Sequence, residues 1–275
     1  MQYSTFAAID IGSYDVILEI FEISKKQGIR SVDKICHRME LGKDTYTLGK
    51  IRPEMEEELC RVLADFVRIM EGYRVDDYRA TASSAISEAS NSLYVLGKIH
   101  QLTGLSVTVL SNSEQRFLSY KALAAMEDNF NKIIEKGTAI LDLDGGSFQI
   151  SLFDKDALVT TQNIRMGSLR IRERLAGIQS ETEHYEEMVE ELIWNEVSSF
   201  KKMYLKDRKI ENIMLIGDVF TDSVYQNIEE KTTKIISREN FNTWYEKIIR
   251  QSPMELAVKL GIPLENASLM YPSAV

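Results

Sequence analysis

A chain of 275 residues is longer than one ordinary domain and suits two. Its 44% hydrophobic and 27% charged residues are globular averages, excluding a disordered, collagen-like or disulfide-stapled chain; 14 Gly and 4 Pro predict long regular elements with short connections. The 33 Lys and Arg against 42 Asp and Glu leave a net charge of −9, so no net field attracts nucleic acid or an anionic membrane, and any polyanion must be held locally.

In chain order, residues 5–11 read as a short apolar strand that ends in Asp10, Gly12 and Ser13, a strand followed by a turn. Two further strands, 16–23 and 29–39, are separated by a Lys-Lys-Gln-Gly turn, and the three predict an antiparallel meander. Pro53 opens a segment in which Met55, Leu59, Val62, Leu63, Phe66, Val67 and Met70 recur at helical spacing, with Pro where its missing N–H costs nothing. A strand at 78–82, a helix at 91–102 and a strand at 106–110 follow. Ser113 is expected to cap a helix that begins Glu114-Gln115-Arg116 and runs through Met126.

The pattern then restarts. Residues 138–143 read as a strand ending in Asp142-Leu143-Asp144-Gly145-Gly146-Ser147, with strands at 149–153 and 158–166. Helices are expected from Ser168 and over 181–203, then a strand at 213–216 and helices after Asp218, over 241–249 and over 254–260. Both halves open with an apolar strand, an Asp-Gly-Ser turn and a meander, which predicts an internal duplication. Two similar domains, 1–128 and 129–275, with a cleft between their glycine turns, are the expected organisation.

Turns of Gly and small hydroxyl residues after a strand present backbone N–H groups and hydroxyls, the donors a phosphate oxygen accepts from. An Asp at the strand end offers a hard oxygen for Mg²⁺. Cys36, Cys60, His37, His100 and His184 are too few and scattered for a zinc site or a disulfide framework, which fits a reduced setting. The N-terminus lacks a basic region followed by an apolar stretch, and no apolar run approaches the roughly 18 residues of a membrane helix, so a cytoplasmic protein without nucleic-acid or membrane partners is expected. The three histidines are expected to be structural or solvated. The acidic run 181–191 is expected to be a solvated helix face.

Six ordered motifs resemble the exopolyphosphatase and guanosine pentaphosphate phosphohydrolase family. They are Ala8-Ile9-Asp10-Ile11-Gly12-Ser13; Leu41-Gly42; Ser84-Ala85-Ile86 with Glu88-Ala89 and Asn91; Leu110-Ser111 followed by Glu114; Asp142 to Ser147; and Met166-Gly167-Ser168 with Arg170 and Glu173-Arg174. The resemblance implies an α/β fold of two ribonuclease H-like domains, similar to actin, Hsp70 and sugar kinases. It further implies Mg²⁺-dependent release of terminal orthophosphate from polyphosphate or guanosine pentaphosphate. Carried over, Glu114 is the general base, Gly12, Ser13, Ser84, Gly145, Gly146 and Ser147 cradle phosphate, and Asp142, Asp10 and Asp144 are metal ligands. A homodimer is compatible with it. Longer relatives carry a further helical region beyond the second domain, so short chains or a nucleotide suit this sequence at least as well as long polymers.

Several positions depart from the family pattern. Ser87 stands for its arginine, Gln149 for the glutamate that ends its second loop, Asp144 for the first glycine of its triplet, Tyr14-Asp15 for Asn-Ser and Gln115 for the second glutamate of its pair. Gly217 remains alone where the family has Gly-Gly-Thr, and Asn266-Ala267-Ser268 stands for Arg-Ala-Asp. These changes remove charge-assisted phosphate contacts, so a catalytically weakened protein that binds a phosphate ligand or regulates is the alternative, and phosphotransfer is a third. Arg170 and Arg174 are placed to pair with acids such as Glu173 or Glu186.

Overall fold

The computed structural model describes residues 3–126, 130–179, 185–205, 208–217 and 237–275. The chain separates into two compact units, Met1–Lys121 and Ala122–Val275. Residue 128, the expected boundary, lies outside the described residues, as does His184.

The first unit is built on a five-stranded sheet in the order β3-β2-β1-β4-β5. Strands β1 (Ser4–Ile11), β2 (Asp15–Ser24) and β3 (Gly28–Arg38) form the antiparallel meander, and β4 (Asp77–Ala82) and β5 (Val107–Val109) extend it in parallel. Alternation sets the faces: Ala7, Ile9 and Ile11 on β1 and Val16, Leu18 and Ile20 on β2 are buried, whereas Ile17 and Glu19 between them point the other way. Helix α1 (Leu41–Leu48) precedes α2 (Pro53–Gly72), whose Leu59, Leu63, Phe66 and Met70 recur at 4, 3 and 4 residues and close the core against the sheet. Pro53 sits in the first turn as expected. Helices α3 (Ser84–Ser87) and α4 (Ser92–Thr103) complete the set, and α5 (Asn112–Met126) starts in this unit and runs past its last residue, Lys121.

The second unit repeats the plan. After α6 (Phe130–Ile134), strands β6 (Thr138–Leu143), β7 (Phe148–Asp154) and β8 (Ala157–Ile164) form a meander, and β9 (Asn212–Gly217) adds in parallel to β6, giving β8-β7-β6-β9. Helices α7 (Ser168–Gln179) and α8 (Tyr185–Tyr204) follow β8, and α9 (Arg238–Ile249), α10 (Pro253–Leu260) and α11 (Leu264–Ala274) close the chain. Ile150, Leu152, Ile164 and Phe200 form one core cluster, and Ile248, Leu256, Ala267 and Met270 tie the last helices together. The helix expected after Asp218 lies outside the described residues.

Four short or terminal helices escape the sequence pattern: α1, α3, α6 and α11. Tertiary contacts hold the first of these. In α1, the Asp44 carboxylate is buried against the Arg52 guanidinium at 2.9 Å, and Thr45 Oγ1 donates to the Ala85 carbonyl at 2.7 Å. Asn91, one of the family-like positions, is structural: its amide donates to Ile51 O and Glu56 Oε1, both at 2.8 Å. Glu56 is itself buried and paired with Lys98 at 3.3 Å. No helix of the described residues is long and apolar enough to cross a membrane.

Candidate phosphate-handling loops

The central strand of each sheet, β1 and β6, runs beside one antiparallel and one parallel neighbour and ends in a Gly-containing loop. In open α/β sheets ligands gather outside the carboxyl ends of such strands.

In the first unit the loop is pinned by its own backbone. Gly12 N–H donates to Asp15 O at 2.9 Å, Gly42 N–H to Ser13 O at 2.8 Å, and Ser83 N–H to Ile11 O at 3.2 Å. The Leu41-Gly42 pair therefore braces the Ser13 turn. Ser13 is 1% exposed, and its hydroxyl lies 3.3 Å from that of Ser84. Asp10 is exposed at the end of β1 and accepts from Thr81 Oγ1 at 3.4 Å. Ser87 sits exposed on α3, three residues beyond Ser84. The hydroxyl of Ser83 is buried with no hydrogen-bond partner among the described residues, a placement that costs about 1–3 kcal/mol unless something satisfies it.

Helix α5 starts two residues earlier than expected, at Asn112, and its cap is Ser111 rather than Ser113. Glu114 accepts from Ser111 N–H at 2.9 Å and from Ser111 Oγ at 2.7 Å, while Glu114 N–H donates to Ser111 Oγ at 3.3 Å. This is a capping box, which the Ser-x-x-Glu spacing encodes. Ser113 instead accepts from Arg116 at 3.3 Å. The backbone and side-chain donors of Ser111 hold the Glu114 carboxyl below its ordinary range.

In the second unit Asp142, Gln149 and Asn163 are cross-strand partners in one row over β6, β7 and β8 and share a face. Gln149 is buried, where a neutral amide costs less than the carboxylate the family pattern has there. Asp144 N–H donates to Ser147 O at 3.0 Å, and Asp144 Oδ1 accepts from Gly145 N–H at 2.6 Å. The Ser147 hydroxyl accepts from Asn163 at 3.2 Å. Arg170 grips the loop: its Nε donates to Gly146 O at 2.8 Å and its backbone N–H to Gly145 O at 3.0 Å. Glu173, one of the acids expected to pair with it, is bridged to Arg172 at 2.7 Å. Arg174 is exposed.

Two glycines press on this loop. A Cβ on Gly167 would collide with the Asp144 carbonyl oxygen, the Ser147 nitrogen and the Gly145 carbonyl carbon. One on Gly217, at φ +143°, would lie 2.6 Å from the Leu143 carbonyl oxygen. Backbone packed on backbone leaves no room for side chains, and this requirement places the Met166-Gly167-Ser168 motif.

A Mg²⁺ ion takes one or two carboxylates, with waters and substrate oxygens completing its shell. Asp142 at the end of β6 and Asp144 in the loop fit such a donor set, and among the described residues no group of three or more His, Cys, Asp or Glu forms a fuller cage. His37 faces Glu58 at 3.4 Å and His100 faces the Leu105 carbonyl at 3.3 Å, consistent with supporting roles. Cys36 is exposed, its thiol donating to Asp15 Oδ2 at 3.5 Å, and Cys60 is buried; the two form no disulfide.

A meander extended in parallel, repeated in two units with a Gly-containing loop on each central strand, defines an α/β protein of the ribonuclease H-like class to which actin and the sugar kinases belong. Residues 19–274 match the model of the Ppx/GppA phosphatase family, and the chain belongs to that family. Similar structures include an exopolyphosphatase from Cytophaga hutchinsonii (TM-score 0.82, 19% identity, covering 98% of this chain and 88% of that one) and a Ppx/GppA family member from Aquifex aeolicus (TM-score 0.75, 20% identity, 99% and 88%). Among curated relatives, a bifunctional 3-dehydroquinate synthase/phosphatase from Fusobacterium nucleatum subsp. nucleatum is 22% identical over 238 residues, 82% of this chain. Exopolyphosphatase 1 of Mycobacterium leprae is 25% identical over 144 residues, 52% of this chain. The chain spans 34% and 41% of the lengths of these two relatives.

Two outcomes follow. Because the folded-state proton affinity of Glu114 is depressed, its capping contribution is complete above the ordinary glutamate pKa and fades as pH falls through the lower folded value; carboxyl NMR should show Glu114 titrating below the ordinary glutamate range, with α5 amide protection falling alongside. Gly167→Ala should destabilise the chain by about 1–3 kcal/mol by overpacking and shift the amide resonances of Asp142 to Ser147, as denaturant melts and NMR would read.

Proposed function

We propose that this protein is an exopolyphosphatase-type phosphohydrolase that releases terminal orthophosphate from polyphosphate or guanosine pentaphosphate. The observation that carries it is the repetition of one loop chemistry, Gly12-Ser13 after β1 and Gly145-Gly146-Ser147 after β6, in a chain of the Ppx/GppA family. In this reading Gly12, Ser13, Gly145, Gly146 and Ser147 bind phosphoryl oxygens. Water adds to the terminal phosphorus, the bridging P–O bond breaks with its electron pair left on the shortened chain, and the proton from water passes to the Glu114 carboxylate. When bound, Mg²⁺ neutralises phosphoryl charge, with Asp142 and Asp144, and Asp10 in the first unit, as the residues that would hold it.

One observation favours a second reading, a weakened family member that binds a phosphate ligand or regulates. A general base works best with a pKa near the working pH, and the capping box moves Glu114 the other way. Ser87 and the buried Gln149 add neutral groups where the family pattern is charged.

Orthophosphate release from polyphosphates of several lengths and from guanosine pentaphosphate, with Mg²⁺ and other divalent metals, separates the two. The first reading expects turnover that Glu114→Ala lowers by about 10²-fold or more. No release above blank on any substrate would sink it. The second expects binding with little turnover, and a rise in hydrolysis when Ser87→Arg and Gln149→Glu are combined; robust wild-type turnover would contradict it.

A further inference from the structure

Both loops carry an aspartate where the family pattern is neutral, Asp15 in place of Ser after β1 and Asp144 in place of Gly after β6. Asp144 is folded onto its own loop. Its Oδ1 accepts from Gly145 N–H at 2.6 Å, and its N–H donates to Ser147 O at 3.0 Å. Gly145 is one of the residues that the phosphate-handling reading assigns to a phosphoryl oxygen, and a carboxylate of the chain itself already holds its N–H. We propose that Asp144 is a specificity-determining residue: it competes from within for the second loop, turning away a bare polyphosphate anion and admitting one complexed with a divalent cation.

A carboxylate and a phosphoryl group offer a donor the same thing, anionic oxygens that only accept. They therefore compete for one N–H. Asp144 competes at the high effective concentration of a chain neighbour, and a hydrogen bond to an ionised oxygen is roughly twice as strong as a neutral one. A phosphoryl oxygen arriving without a cation has to displace this bond and then lie against a like charge, two costs of the same sign. With a divalent cation present, Asp144 favours the ligand instead. Its carboxylate then shares a hard ion with phosphoryl oxygens, so releasing Gly145 N–H leaves no bare charge behind. By linkage, cation and polyphosphate tighten each other's binding by the same factor.

The loop backbone has no means of sidestepping this contact. Arg170 holds Gly146 O at 2.8 Å and Gly145 O at 3.0 Å, and Gly167 lies against the Asp144 carbonyl oxygen and the Ser147 nitrogen. With the backbone fixed from behind, the Asp144 side chain is the part with torsional freedom. The first unit shows a parallel placement through different atoms: Asp15 Oδ1 lies 3.2 Å from where a Cβ on Gly12 would stand. A carboxylate thus stands at a glycine of each loop. This inference rests on the phosphate-handling reading above and specifies the form of ligand that reading admits.

The test titrates inorganic tripolyphosphate into the full chain by calorimetry, as the metal-free anion and as its Mg²⁺ complex, for wild type, Asp144→Gly and Asp144→Asn, with circular dichroism confirming the fold. Asp144→Gly removes the internal acceptor and should bind the metal-free anion about tenfold or more tighter than wild type, with a smaller gain from Mg²⁺. Asp144→Asn keeps an oxygen for Gly145 N–H without the charge and should fall between the two. In wild type the Gly145 amide proton resonance should move with the Mg²⁺ complex and stay in place with the metal-free anion at the same concentration. Asp144→Gly binding the metal-free anion no tighter than wild type, or no tighter than Asp144→Asn, overturns the role of Asp144 and leaves the functional reading standing. Absence of tripolyphosphate binding in every protein and both forms overturns both.

Discussion

The structure turns on how closely one stretch of backbone can approach another. The loop between β6 and β7 is wedged between Gly167 and Gly217, at separations that leave no space for a Cβ, and Arg170 donates to two of its carbonyls. A loop whose carbonyls are engaged from behind has its conformation fixed without any contribution from a ligand. Preorganisation of this kind keeps binding free energy from being spent on ordering the loop. The first unit reaches a comparable result by other means, with Gly42 and Gly12 N–H groups bonded to carbonyls of the Ser13 turn.

This bracing explains which family-like motifs serve chemistry and which serve architecture. Leu41-Gly42 and Met166-Gly167-Ser168 brace loops, and Asn91 links α2 and α4 through Ile51 and Glu56. The general-base role proposed for Glu114 pulls against its capping role: the contacts that cap α5 also stabilise its ionised form, and a carboxylate stabilised in that form is a weaker base. Whether its position serves catalysis or helix initiation is the question on which the two functional readings divide.

Polyanion binding by a chain of net charge −9 needs a local solution. Both loops offer neutral donors, namely backbone N–H groups and the hydroxyls of Ser13 and Ser147, and the carboxylates of Asp142 and Asp144 suit a divalent cation more than a bare phosphate. The neutral Ser87 and Gln149 make such a site depend more on hydroxyl orientation and on metal than the charged family pattern does.

The sequence by itself determined the alternating strands, the α2 stripe, the duplicated plan and the family, because period-2 and 3.6-residue burial and turn residues are local codes. The β1 and β6 strands end where their Asp and Gly residues say they do. Other features came only from tertiary structure, each for a physical reason. Helix α1 has weak periodicity and is held by Asp44, Thr45 and their partners 8 and 40 residues away. The true cap of α5 was written in the Ser111-x-x-Glu114 spacing, yet neighbouring Ser113 offered an equally good side chain, and only hydrogen-bond geometry separates the two. The hold of Arg170 on two loop carbonyls has no sequence signal, because only the fold brings the β6–β7 loop to it. Tyr46 has no local signature at all: its meeting with Ser13 and Ser84 spans 33 and 38 residues of chain, and the three hydroxyls come together only once their elements have packed.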